Sequence, residues 1–298
     1  MHVLITGASG FLGSVCCHLL SHHTHLRLSL LRSGQRAQRV GTNAPQFDAS
    51  TSKTSHDLLQ LIGDAYPSHI IHSGALASPE ASERDPALAY AANVAFTKML
   101  TEYAGLVGAH LTTISTDLVF DGCKAPAGGL LESDTPNPIS VYGKTKWEAE
   151  LSTLTTSTNA VVRLSLLYGH AHSESTGALG WMERSFAERT PLSLFEDEFR
   201  TPIHVRDAAD ALIRISLQRL SGIWHCGGPA RLSRVEFGTE VARALNYNEE
   251  LITPTLRQDH ATKPIRPEDV SLNSHKLWSE LKWKPEAVHE ALIRYPKV

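Results

Sequence analysis

Tyr142 and Lys146 stand four residues apart in the stretch Tyr142-Gly143-Lys144-Thr145-Lys146. At the start of a helix, that spacing puts both side chains on one face. A free tyrosine, with a pKa of about 10, is a weak acid–base group at neutral pH. A neighbouring ammonium favours the phenolate and lowers that value, and it can also donate hydrogen bonds to ribose hydroxyls. Upstream, Ile114-Ser115-Thr116-Asp117-Leu118-Val119-Phe120-Asp121-Gly122 closes an expected strand. Thr116 there carries a hydroxyl that can sit beside Tyr142, within reach of one carbonyl oxygen. Tyr-x-x-x-Lys alone recurs by chance in many proteins, so its weight depends on what surrounds it.

The surroundings begin at the N-terminus, where Val3-Leu4-Ile5-Thr6 runs into Gly7-Ala8-Ser9-Gly10-Phe11-Leu12-Gly13. An apolar run of strand type meets three glycines spaced three apart, and a helical segment follows. Gly7 lets the chain turn off the strand. Gly10 removes a side chain where a pyrophosphate would approach the backbone. Gly13 lets helix and strand pack closely. The N–H groups at the helix start would face the phosphates. The spacing is Gly-x-x-Gly-x-x-Gly, not the Gly-x-Gly-x-x-Gly of the plain dinucleotide fingerprint, and a purely structural turn is the competing reading.

The elements that must bring these groups together alternate strand and helix through the first half, which implies an α/β fold with a doubly wound parallel sheet. Expected strands cover 2–6, 26–31, 69–72, 111–115 and 160–167, with a short one near Phe47. Expected helices cover 11–22, 56–66, 86–104 and 141–153. Beyond Gly169 the pattern loosens, with helices over 181–188, 207–218 and 235–245, a strand over 223–226, and a proline-punctuated tail over 254–285. This divides the chain into a dinucleotide-binding Rossmann domain, 1–169, to which 197–226 returns, and a smaller substrate-binding lobe from 170–196 and 227–298. In a doubly wound sheet the carboxyl ends of the strands line the ligand crevice, so the glycine turn, Thr116 and Tyr142 would meet there.

The chain has 298 residues, 42% hydrophobic and 20% charged, with a net charge of −3. That is the composition of a globular protein, with no basic stripe for nucleic acid and no polybasic patch or long apolar run for a membrane. Cys16, Cys17, Cys123 and Cys226 lack metal-site spacing and read as reduced thiols of a cytoplasmic protein. His18 and His22 could share a helix face, and His23 and His25 follow, but nothing acidic or sulfur-bearing completes a metal set. No metal is expected.

Taken in order, six stretches resemble the extended short-chain dehydrogenase/reductases, and within them the dTDP-4-dehydrorhamnose reductase group. They are residues 6–13; Ser115 to Gly122; Pro138-Ile139-Ser140-Val141-Tyr142 to Lys146; Arg163-Leu164-Ser165-Leu166-Leu167-Tyr168-Gly169; Pro202-Ile203-His204-Val205-Arg206-Asp207; and Arg266-Pro267-Glu268-Asp269-Val270-Ser271-Leu272. The resemblance implies a Thr116/Tyr142/Lys146 triad in which Tyr142 protonates the developing alkoxide while a nicotinamide delivers hydride to a sugar ketone. Thr116 would hold that oxygen, and Lys146 the cofactor ribose. It also implies cofactor contacts at Gly7, Ser9, Gly10, Phe11, Leu12, Gly13, Gly74, Ala75, Tyr142 and Lys146, with Asp48 and Ala49 near the adenine. Asn93 matches a helix asparagine that supports the site in related enzymes; a solvated helix face is the alternative.

Cofactor choice has its own argument. A fold that selects NAD usually ends its second strand with a carboxylate for the ribose 2′-hydroxyl. Here Leu30-Leu31-Arg32-Ser33-Gly34-Gln35-Arg36 has none, and Arg32 and Arg36 could pair with a 2′-phosphate. NADP(H) is expected, with NAD(H) as the alternative. Two positions depart from the family pattern: Leu118 replaces a tyrosine and Leu167 a tryptophan, both near the sugar-nucleotide site. Trp181, Met182 and Phe195 are either pocket walls or core. The expected partner is a small carbonyl substrate, with a homodimer allowed. Competing functions are an NADP-binding regulatory subunit resembling the beta subunit of methionine adenosyltransferase, and a sugar-nucleotide epimerase or dehydratase.

Overall fold

The strand His2–Thr6 (β1) is buried on both faces, and the sheet is built outward from it. The coordinates are a computed structural model that describes residues 1–22, 27–31, 66–123, 125–171, 177–259 and 265–296. Arg27–Leu31 (β2) pairs with one side of β1 and His69–His72 (β3) with the other. Beyond β3 come His110–Thr116 (β4), Ala160–Leu164 (β5) and Gly222–Cys226, all parallel. The chain therefore leaves β1 in one direction for β2 and then crosses to β3, which places a topological switch point between β1 and β3. In open α/β sheets ligands bind outside the carboxyl ends of the strands at that point. The expected strand near Phe47 and nearly all of the helix over 56–66 lie outside the described residues, as do Arg32, Arg36, Asp48, Ala49, His23 and His25.

Alternation along the strands sorts side chains to two faces. Val3, Ile5, Ile71, Val162 and Leu164 join a core closed by the helices Phe11–Ser21 and Val205–Leu217. Leu4, Ile70 and Leu111 face the opposite way, onto Phe96, Met99, Leu100 and Tyr103 of the helix Phe96–Val107. A second core gathers Tyr168, Leu179, Met182, Phe186, Phe237, Val241 and Leu292 from the later segments. Met182 is thus core, whereas Trp181 is 40% exposed.

Several segments differ from expectation. The strand expected over 160–167 stops at Leu164, where the neighbouring strands also end, and Ser165 makes the last rung. Its N–H donates to the Cys226 carbonyl at 3.3 Å, and its hydroxyl accepts from the Thr201 N–H at 3.1 Å. Leu167–Tyr168 then pairs with Ile203–His204. The helix expected over 86–104 is interrupted by a π segment, Ala91–Ala95. The tail over 254–285, expected as loop within the smaller lobe, carries the helix His275–Leu281, and a further helix, Val288–Arg294, follows it. Leu277 and Leu281 of the helix His275–Leu281 join the core of the main sheet. Among the described residues, no helix is long and apolar enough to cross a membrane.

Candidate active site

Gly7 leaves β1 at φ +69° and lies against the end of β3: a Cβ there would come 2.6 Å from the Gly74 nitrogen. A Cβ on Gly13 would come 2.2 Å from the Gly7 carbonyl oxygen. The turn therefore folds back on its own helix and on the switch-point strand at once, which no larger residue permits. Gly10 begins the helix Phe11–Ser21 without a side-chain cap, and the first turn has no acidic residue. An uncapped, acid-free helix start beside a glycine cradle suits a phosphate. The residues present therefore fit the pyrophosphate of a dinucleotide. Gly74 is buried and Ala75 half-buried next to this turn; Ser9, Gly10 and Phe11 are half-buried and Leu12 is buried. Asp48, Ala49 and Arg32 lie outside the described residues.

Thr116 ends β4. Its hydroxyl accepts from the Leu118 N–H at 3.2 Å and so caps the short 3-10 turn Asp117–Val119. The helix Val141–Thr153 starts at Ser140, whose hydroxyl accepts from the Gly143 N–H at 3.0 Å. A Cβ on Gly143 would come 2.3 Å from the Leu118 carbonyl oxygen. This glycine therefore lets the helix close onto the turn after Thr116 and bring Tyr142 to it. Tyr142 and Lys146 are 9% and 3% exposed.

The tyrosine's electrostatics differ from the expectation that Lys146 would lower its pKa. Burial pushes the Tyr142 phenol up to about 12, and the Asp117 carboxylate adds to this; a hydrogen bond with Thr116 and the Arg200 charge pull the other way. Burial brings Lys146 down to about 8, against the opposing pull of Glu150. The phenol is therefore a held proton at neutral pH, and the lysine remains largely ammonium.

Asp117 and Arg200 were not singled out by sequence reasoning, yet they frame the tyrosine. Arg200 donates from Nε to Asp117 Oδ2 at 2.6 Å and from a terminal nitrogen to Oδ1, a buried bidentate pair. Behind Lys146, Glu150 accepts from Ser115 Oγ at 2.5 Å and from Arg163 Nη2 at 2.8 Å. Both pairs join residues far apart in the chain, so spacing gives no signal of them. Asn93 is fully buried rather than solvated. Its Oδ1 accepts from the Leu76 N–H at 2.8 Å, and its Nδ2 donates to Thr145 Oγ1 at 3.0 Å. Beside the helix start, Pro79, Leu118, Phe120, Ile139, Arg200 and Arg266 line a small cleft of ≈40 Å³. Leu118, one of the two departures from the family pattern, is in its wall. Leu167, the other, is half-buried in the strand that pairs with Ile203–His204.

The architecture has close parallels. A dTDP-4-dehydrorhamnose reductase of Clostridium acetobutylicum superposes with a TM-score of 0.85 at 24% identity, covering 99% of this chain and 98% of that one. The Bacillus anthracis dTDP-4-dehydrorhamnose reductase, in complex with NADP, superposes at 0.82 with 24% identity over the same shares. These likenesses establish the Rossmann-like fold. In sequence, the chain is 30% identical over 283 residues to methionine adenosyltransferase 2 subunit beta of Xenopus laevis, covering 92% of this chain and 80% of that protein. The match that spans the molecule, residues 1–297, is to the RmlD substrate binding domain, and the chain belongs to that family.

Proposed function

We propose that the chain reduces the ketone of a nucleotide-linked 4-keto sugar, of the kind a dTDP-4-dehydrorhamnose reductase takes, using NADPH in the cytoplasm. The observation that carries this reading is the buried, protonated Tyr142 phenol beside Thr116 at the carboxyl edge of the sheet. The glycine turn, Ser9, Phe11, Leu12, Gly74 and Ala75 would hold the dinucleotide, with Asp48 and Ala49 at the adenine and Arg32 at the 2′-phosphate. When bound, the cofactor supplies a hydride to the carbonyl carbon.

The chain's own groups do the rest. Thr116 holds the carbonyl oxygen by turning to it the hydroxyl hydrogen that Asp117 Oδ1 accepts in the free protein. Tyr142 gives its phenolic proton to that oxygen as negative charge develops, and Lys146 holds the ribose and stabilises the phenolate left behind. Asp117 keeps the proton on Tyr142 until the developing oxyanion takes it. The cleft of Leu118, Ile139 and Arg266 receives the substrate, with residues 170–196 and 227–298 as the substrate lobe. The test is NADPH consumption by purified protein with a panel of dTDP-linked keto sugars. No consumption with any of them would shift the reading to a different carbonyl substrate.

The 30% identity to a methionine adenosyltransferase beta subunit favours a second reading, a regulatory subunit that binds NADP. A stable complex with a methionine adenosyltransferase catalytic subunit, without NADPH oxidation, would select it.

A further inference from the structure

His72 ends β3, the strand at the switch point, and it is 1% exposed. Its two ring nitrogens reach opposite sides of the site. Nδ1 lies 2.6 Å from Thr6 Oγ1, at the end of the strand that enters the glycine turn. Nε2 lies 2.9 Å from Thr97 Oγ1, on the helix that follows the π segment.

Counting protons settles the tautomer. The Thr97 hydroxyl has one hydrogen, and it goes to the Asn93 carbonyl at 2.6 Å. Towards His72 that hydroxyl can only accept, so Nε2 carries the proton. Nδ1 is then an acceptor and takes the Thr6 hydroxyl hydrogen, while Thr6 Oγ1 itself accepts from the Gly74 N–H at 3.3 Å. Every donor along this line meets an acceptor only if the imidazole is neutral. Burial, with the charge of Lys146 adding to it, holds the ring well below the usual histidine range, at about 3.

The line extends further on the Asn93 side. The residue whose carbonyl it grips lies in the Ala91–Ala95 segment, where the Phe96 N–H reaches the Ala91 carbonyl five residues back. Such a π turn leaves backbone groups without ordinary helical partners, and the Thr97 hydroxyl supplies one. The Asn93 side chain donates to Thr145 Oγ1, and Thr145 Oγ1 donates to the Tyr142 carbonyl at 2.9 Å. A continuous series of hydrogen bonds therefore runs from the cofactor turn at Gly74 to the backbone of the proton-donating tyrosine.

We propose that His72, as its Nε2–H tautomer, is a positioning residue that locks the glycine turn to the Tyr142 helix, through Thr6 on one side and Thr97 and Asn93 on the other. It touches neither substrate nor cofactor. It sets how the two halves of the site stand relative to each other, and the role of Tyr142 on which it acts rests on the function proposed above. Misplacement of a reacting group by an ångström suffices to slow a reaction a hundredfold.

The test uses three variants of the full chain. His72→Leu removes both ring nitrogens, Thr97→Val removes one link with little change in shape, and His72→Gln restores a neutral donor and acceptor. Histidine 15N spectra of the wild type should show a neutral ring protonated at Nε2; protonation at Nδ1 would overturn the proposal. His72→Leu and Thr97→Val should lower kcat tenfold or more with substrate KM within twofold, while both still melt cooperatively, and His72→Gln should recover part of the loss. Unchanged kcat in folded Thr97→Val would overturn it. If the wild type turns over no keto sugar, the function reading fails by itself. The Tyr142 ring resonance in 13C-tyrosine spectra then decides: a shift in Thr97→Val supports the lock, and an unmoved resonance overturns it.

Discussion

Replacing Arg200 with Met leaves the fully buried Asp117 carboxylate without its guanidinium. Removing one partner of a buried ion pair costs about 3–5 kcal/mol, because the remaining charge stays out of water. The Thr116 hydroxyl at 3.2 Å still donates to Asp117, which places the cost near the lower end, about 3 kcal/mol. The double variant Asp117→Asn/Arg200→Met removes both charges, so it should lose clearly less stability than the sum of the two single variants. Asp117→Asn also has a reading at Tyr142, the proposed proton donor. The Asp117 carboxylate helps raise the Tyr142 pKa, so its removal should lower the pH at which that phenol ionises. Guanidinium unfolding followed by circular dichroism measures the first effect, and tyrosinate absorbance across an alkaline titration measures the second. A loss below about 1 kcal/mol for Arg200→Met, the range of exposed salt bridges, would refute the buried-pair argument. So would strict additivity of the two variants, or a Tyr142 titration that Asp117→Asn leaves in place.

Tyr142→Phe keeps the packing and removes the proton; kcat in the NADPH assay should fall about 10²–10⁴-fold, and retention of more than a tenth of the rate would remove it as proton donor. Gly13→Ala forces a Cβ to within 2.2 Å of the Gly7 oxygen, so NADPH affinity read by fluorescence quenching should drop tenfold or more, with unchanged affinity counting against the phosphate cradle. His72, His204 and His225 are held at about 3, chiefly by burial, against an ordinary value of 6.5. Their folded forms bind fewer protons than the unfolded chain, so the stability they allow is fully present above pH 6.5 and is lost as pH falls toward 3, by up to about 1.4 kcal/mol per pH unit for each ring. Unfolding measured at pH 7 and pH 5 should show that loss, and His225→Gln should flatten it; an unaltered slope would show that the ring is not buried neutral.

The parallel sheet, the glycine turn and the helix carrying Tyr142 and Lys146 were legible because each depends on local pattern. Strands read as short apolar runs, the turn as glycines at fixed spacing, and the Tyr-x-x-x-Lys pair as one helix face. Segments governed by distant partners were not legible. The strand from Ala160 stops at Leu164 because both neighbouring strands end opposite it, at Thr116 and Cys226, and the chain then turns to pair Leu167–Tyr168 with Ile203–His204. The helix through Asn93 adopts a π turn around a site its own periodicity does not reveal. The helix His275–Leu281 was hidden among prolines and forms because Leu277 and Leu281 have a core to enter.

The sequence by itself determined which groups could do chemistry and that a dinucleotide cradle precedes them, since residue type and spacing are covalent facts. Whether Tyr142 stands as phenol or phenolate was decided only by tertiary structure. Lys146, four residues along the same helix, suggested a lowered pKa; burial and Asp117, whose carboxylate is held by an arginine 83 residues away, raise it instead. A pKa reports the dielectric and the charges that surround a group in space, and those surroundings exist only once the strand ends, the helix start and Arg200 have been folded together.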